Sequence, residues 1–211
     1  MDKRRLLFIG LTLLFLSIVY VMWASYETSS ATYFSKNNSK QVIKDVEKLK
    51  KIEEESYDRI HMMTMDEIGY LPYSYEEIMK KYQTKEGLVE YFAASLFLND
   101  QDLFLQSFTP EVISKDLFSE KEENKYKVIE SFINTIRRNN TLTGVGYKTK
   151  SNLIGEQDDN KIMLVLKYGD RTVETEIELK KLNDYHDTDI HSIYVINTSV
   201  KDIIRSIEEK F

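Results

Sequence analysis

Asp184, His186, Asp187, Asp189 and His191 bring three carboxylates and two imidazoles together in one short stretch. Oxygen and nitrogen donors this close in sequence are the kind of set that holds a divalent cation. The stretch has neither the central glycine nor the terminal glutamate of a calcium loop, and its spacing matches no zinc pattern. It therefore reads as a solvated turn between two strands, and no metal site is expected. A second group is tyrosine-rich: Tyr70, Tyr73, Tyr75 and Tyr82 flank Pro72. A phenol carries a large apolar face with a polar tip, which suits it to partner binding. Tyr70, Tyr73 and Tyr75 are the candidate partner-binding surface, with packing of the loop on its own core as the plainer alternative.

Catalytic signatures are absent. The chain has no Gly-x-Ser-x-Gly, no phosphate-binding glycine loop and no His-Glu-x-x-His. Gly144-Val145-Gly146 lacks the third glycine and the following helix of a dinucleotide fingerprint. There is no cysteine, which removes thiol nucleophiles, disulfides and cysteine metal sites together. No catalytic residue and no cofactor are expected, and the chain reads as a non-enzyme. His61 falls in a charged helical stretch and reads as a surface residue. Lys48, Lys50 and Lys51 are interleaved with acids and read as a solvated face. Asn37, Asn139 and Asn197 open Asn-x-Ser/Thr triplets, which matter only in a glycosylating pathway.

The net charge is −6. Lys3, Arg4 and Arg5 outweigh Asp2 at the start, so the rest of the chain is more acidic than the whole. An acidic body argues against nucleic acid as partner, because phosphate binding needs a basic face. From Leu6 to Tyr26 there is no charged residue. As a helix this run would span about 31 Å, close to the hydrocarbon depth of a bilayer. Tyr20, Trp23 and Tyr26 sit at its far end, where amphipathic rings favour the headgroup layer, and Lys3, Arg4 and Arg5 precede it. The expectation is a single-pass signal anchor: residues 1–5 cytoplasmic, residues 6–26 in the membrane, and an extracytoplasmic remainder at the outer surface of the cell membrane. A cleaved signal peptide is the rival, but Met22 and Trp23 stand where small residues would be needed, leaving only a late site at Ser29 and Ala31.

The remaining elements follow from periodicity. Residues 27–38 read as a polar spacer, and 41–68 as a charged helix in which Val42, Val46, Leu49, Ile52 and Ile60 form a narrow apolar stripe. Residues 27–68 are thus a spacer and helical stalk, either pairing with a second copy as a homo-oligomer or lying on the chain's own domain. Residues 69–211 form the body. Thr84 caps a helix apolar nearly all round, the mark of a buried helix. Thr109-Pro110 starts another, and the Ser119/Glu122 pair a third running to Arg138. After residue 140 the period changes to two, with strands near 145–153, 162–168, 173–179 and 190–197, then a last helix capped by Thr198 or Ser199. Short turns imply an antiparallel meander, and Glu174, Glu176 and Glu178 leave one face polar. The fold class is α+β, with helices on one face of a four-stranded antiparallel sheet.

This order of elements resembles the nuclear-transport-factor-2-like (cystatin-like) superfamily, in which helices come first and a curved sheet wraps them. The run Lys85-Glu86-Gly87-Leu88-Val89-Glu90-Tyr91-Phe92-Ala93-Ala94-Ser95-Leu96-Phe97-Leu98-Asn99-Asp100-Gln101-Asp102-Leu103-Phe104 looks like that superfamily's opening helix and its polar break. An anchored domain of this kind is similar to the scaffold domains of conjugation and secretion machines. The resemblance implies a membrane-anchored module that binds a protein partner at the outer membrane surface without catalysis. Alternatives are a ligand-binding or sensory domain with a pocket between helices and sheet, and an enzyme of the same fold.

Overall fold

A computed structural model describes residues 14–17, 19–20, 31–60, 78, 80–149, 160–169, 171–182 and 193–211; for residues 52–60 the description stops at the backbone. The order is β1 (Thr32–Phe34), α1 (Lys36–Ile60), α2 (Lys85–Leu98), α3 (Gln101–Gln106), α4 (Pro110–Phe118), α5 (Lys125–Arg137), β2 (Leu142–Lys148), β3 (Lys161–Tyr168), β4 (Arg171–Leu182), β5 (Ile193–Ile196) and α6 (Val200–Glu208). The strands form one antiparallel sheet in the order β1-β2-β3-β4-β5, curled into a half-barrel.

Alternation sets the two faces of the sheet. Ile162, Leu164, Leu166 and Tyr168 of β3 pair with Ile177, Thr175, Val173 and Arg171 of β4, and the apolar members of this set are buried. The opposite face carries Lys161, Lys167, Glu174 and Glu176, with a Lys148–Glu174 ion pair reaching over β3 at 2.6 Å. Against the apolar face lie α2, α3, α5 and α6. Phe92, Phe104 and Phe108 meet there with ring centroids 5.1–6.0 Å apart. Ile129, Ile133, Ile136, Ile203 and Ile207 complete the same cluster. Tyr168 ties the two layers by donating its hydroxyl to the Ile136 carbonyl at 2.7 Å.

Capping decides where the helices begin and end. Thr84 accepts from the Gly87 amide at 2.9 Å and opens α2; Asn99, left-handed at φ 58, closes it. Asp100 opens α3 and Thr109, followed by Pro110, opens α4. The Ser119/Glu122 start is displaced: α4 runs to Phe118 and takes Ser119 as its C-cap, so α5 begins six residues later at Lys125, capped by Asn124. The all-round apolarity of α2 has a direct cause. One side faces the sheet, and α1 lies across the other, where Val42 packs with Ala94 and Leu103.

Three expectations are corrected. The sheet has five strands, not four. The added strand, β1, lies within the stretch read as a spacer, and its Thr32, Tyr33 and Phe34 pair with Tyr147, Gly146 and Val145. Glycine permits this: a Cβ on Gly146 would sit 2.2 Å from the Thr32 carbonyl oxygen. Second, the helix assigned to a stalk starts at Lys36, not Gln41, and its first turns pack on α2, with Ser39 inside it and buried. Third, the membrane anchor is not borne out. A span needs about 20 apolar residues in one helix. In the 6–26 stretch the described helical residues are 14–17, 19 and 20, and among the described residues no helix is long and apolar enough to cross a membrane. The single-pass, signal-anchor and cell-membrane assignments are withdrawn with it.

Candidate functional site

Between the middle of α1, the start of α2 and the start of β5 runs an apolar groove of about 320 Å³. Val46 and Leu49 form its α1 wall, Leu88 and Tyr91 of α2 together with Tyr82 just before that helix form the facing wall, and Tyr194 closes it from β5; Lys50 stands at the rim. Its existence follows from α1's narrow stripe. Val42 is fully buried against α2, whereas Val46 and Leu49, one and two turns on, are only half covered. The helix therefore leaves part of its apolar face open where it passes the tyrosines.

The tyrosines are held by their hydroxyls. Tyr82 donates to Asp45 Oδ2 at 2.9 Å and Tyr91 to Gln106 Oε1 at 2.6 Å. Their rings meet edge to face with centroids 5.8 Å apart. Burial, with Asp45 nearby, pushes the Tyr82 hydroxyl above its ordinary value; burial and the carboxylates of Asp100 and Asp102 do the same for Tyr91. Both phenols remain neutral donors at all ordinary pH, so each presents a ring rather than a charge.

Beneath Tyr82 lies a polar junction between α1 and α2. Lys81 Nζ is 3.1 Å from Asp45 Oδ2 and 3.0 Å from Glu90 Oε2, and Gln41 donates to Asp45 Oδ1 at 2.7 Å. Burial raises the Asp45 carboxyl, but hydrogen bonds from Gln41, Lys81 and Tyr82 outweigh it and hold the group below its usual 3.8. Burial lowers the Lys81 ammonium, but Glu90 and Asp45 outweigh that and hold it above 10.5. A carboxylate with a depressed folded value contributes fully above its unfolded value and loses the contribution as pH falls through the folded one. A lysine with a raised folded value contributes fully below its unfolded value and loses it as pH rises through the folded one. Tyr82, raised above its ordinary 10.0, likewise contributes fully only below that value, so the docking of α1 on α2 is expected to be constant from about pH 4 to about 10 and to loosen outside that window. Hydrogen exchange at the Val42 and Val46 amides measures this, and loosening near neutrality would contradict it.

A larger, polar cleft of about 1240 Å³ lies between α5, the 138–140 turn and the β3–β4 hairpin. Arg138, Asn139 and Asn140 are left-handed in succession, with φ of 44, 54 and 69. Asparagine tolerates this through its short polar side chain; arginine does not favour it. Arg138 caps α5 there and lays its guanidinium 3.6 Å from the Phe211 ring centre, with Arg171 at 5.4 Å. Both cations are thereby engaged with the ring. The rim mixes Lys127 with Glu130 and Glu208, so no single charge sign converges on it.

Buried acids are accounted for by structure. Asp116 accepts from Ser199 Oγ at 2.8 Å and from the Val200 amide at 2.7 Å, holding the start of α6. Glu90 is paired with Lys81. Among the described residues, no buried side-chain nitrogen or oxygen lacks a partner, and no group of three or more His, Asp or Glu could hold a metal ion.

Of the residues singled out by sequence, Tyr82 reaches the groove, and Tyr20 is exposed in the short described N-terminal stretch. Tyr70, Tyr73 and Tyr75, the Asp184–His191 cluster, His61 and the flanking Lys3, Arg4, Arg5, Trp23 and Tyr26 lie outside the described residues. Tyr91, Tyr194, Val46 and Leu49 were not expected together. The available signal was a stripe on α1 longer than its first turns need, together with Tyr82 and Tyr91 nine residues apart at the start of the most apolar helix. Comparison of the chain with protein-family models, with curated proteins and with solved structures finds no match in any of the three.

Proposed function

We propose that this chain is a non-catalytic protein-interaction module, and that the groove between α1, α2 and β5 receives an apolar side chain of a partner protein. The observation that carries the reading is the contrast between the interior and the groove. The space between helices and sheet is closed by Phe92, Phe104 and Phe108, each at most 2% exposed. A ligand pocket there would have to displace them. A general base there would need a carboxylate or imidazole, and the buried polar residue on the inner face of β4 is Thr175. The groove, by contrast, offers pinned tyrosine rings and half-covered aliphatic side chains. Its 320 Å³ is at the bottom of the range of small-molecule pockets, about 300–1,000 Å³, and suits one or two inserted side chains. Rigid tyrosines lose little entropy on binding, which is why they recur at the centres of interfaces.

The test is selection of random peptides on the full-length protein. Selected sequences are expected to share one large apolar anchor. Leu49→Gln, which leaves the net charge unchanged, is expected to weaken them about thirtyfold, the ~2 kcal/mol typical of a hot-spot residue. Thermal melting of the variant controls for folding. Selected peptides with no common anchor, or binding indifferent to Leu49→Gln, would refute the reading.

A further inference from the structure

The outer side of α1 reverses the charge of the molecule. Over residues 36–51 the helix carries Lys36, Lys40, Lys44, Lys48, Lys50 and Lys51, all exposed, in a protein of net charge −6. Its acids over the same span are Asp45 and Glu47. Asp45 is turned inward onto Lys81 and Tyr82, so Glu47 is the one carboxylate left on the outer side. Lys36, Lys40, Lys44 and Lys48 recur at four-residue intervals, which keeps them in a slowly turning row about 18 Å long, opposite Val42 and Val46. Among the described residues, Lys36, Lys40, Lys44, Lys48 and Lys50 form no ion pair. Most surface lysines repel one another at these distances, and nothing in the fold requires such a row. Lys50 joins the row to the groove, since it stands at the groove's rim. Beyond Lys51 the sequence turns acidic, at Glu53, Glu54 and Glu55.

We infer that the partner segment is acidic: an apolar anchor enters the groove while neighbouring carboxylates lie along the lysines of α1. This rests on the reading of the groove as a docking site and adds the chemistry of what docks. Two other polyanions fit less well. A lipid surface would need apolar side chains to insert, but Val42 is already packed on α2 and the lysine row carries none. A nucleic acid would want arginine forks and exposed stacking rings beside the phosphate contacts. The row holds neither, and the rest of the chain is acidic.

The experiment uses the full-length protein and three probes: the peptides selected on it, vesicles containing phosphatidylglycerol, and a 20-nucleotide single-stranded DNA. Selected peptides are expected to carry aspartate or glutamate beside the anchor. The triple variant Lys40→Glu, Lys44→Glu, Lys48→Glu is expected to weaken them about tenfold or more at low salt and less at high salt, as rim charges do. Leu49→Gln should weaken them at either salt. Peptides that depend on Leu49 but lack acids and ignore the triple variant would overturn the inference and leave the docking reading standing. Peptides indifferent to both variants would overturn both. Vesicles or DNA that bind more tightly than any peptide, and are released by the triple variant, would overturn the assignment to a protein partner.

Discussion

Phe104→Ala is expected to lower the unfolding free energy by about 3–5 kcal/mol, the usual cost of emptying a fully buried phenylalanine site. Phe104 is completely buried and touches two other rings, at centroid distances of 6.0 Å to Phe92 and 5.1 Å to Phe108. Three elements converge at this point: α2 supplies Phe92, α3 supplies Phe104, and the loop after α3 supplies Phe108. The same loop is stitched to the sheet, because the Ile196 amide donates to the Ser107 carbonyl at 2.8 Å and the Thr109 amide to the Ile196 carbonyl at 2.9 Å. These backbone bonds limit how far the loop can collapse into the space left by the ring, so the cost belongs near the upper end. Urea unfolding followed by far-UV circular dichroism measures it. A loss below about 1.5 kcal/mol, no more than a volume-conserving core swap costs, would mean that the interior is not filled as described.

Asp116→Ala has the next largest expected effect, about 3 kcal/mol, by a different route. The carboxylate is 4% exposed and sits at the start of α6, accepting from the Ser199 hydroxyl and the Val200 amide. Negative charge is favoured at a helix N-terminus, and hydrogen bonds to an ionised group are the strong kind. Alanine removes them and leaves the Val200 amide buried without a partner, which is the costly outcome of such deletions. Asp116→Asn keeps an acceptor oxygen but not the charge, and is expected to recover roughly half of the loss. Denaturant titration of both variants decides it. If the carboxylate instead served a reaction, the two variants would melt like the parent.

Much of the body was legible because its elements are long and strongly periodic. β4 alternates from Val173 to Leu179, and α2 is too apolar to be anything but enclosed. Those two facts alone imply a sheet with one dry face and a helix covered on both sides. β1 was not legible. A three-residue strand is too short for a period of two to show, and the reason it pairs there is Gly146, whose significance lies in an approach distance that no spacing rule encodes. The apolar run from Leu6 to Tyr26 has the length and flanks of a membrane span, yet among the described residues no helix is long and apolar enough to cross one. The groove was half legible. Tyrosine-rich sequence around Pro72 pointed to Tyr82, which lines the groove, but not to Tyr91 on α2 or to Tyr194, which comes from β5, far away in sequence. Lys48 and Lys50 were read as a solvated face balanced by acids; the imbalance emerges once the helix is seen to begin at Lys36, which adds Lys36 and Lys40 to the row, and Asp45 is seen to turn inward.

A lone apolar groove and a lone row of lysines would each be unremarkable on a protein surface. Their junction at Lys50 is what gives the account its content, because one short segment of a partner can engage both. The most direct test is to titrate a selected peptide into the isotopically labelled full-length protein and follow backbone amide shifts. The account predicts that the largest changes fall on Val46, Leu49, Lys50, Tyr91 and Tyr194, with smaller ones along Lys40, Lys44 and Lys48. Changes centred instead on Arg138, Asn140 and Phe211, in the polar cleft, would contradict it.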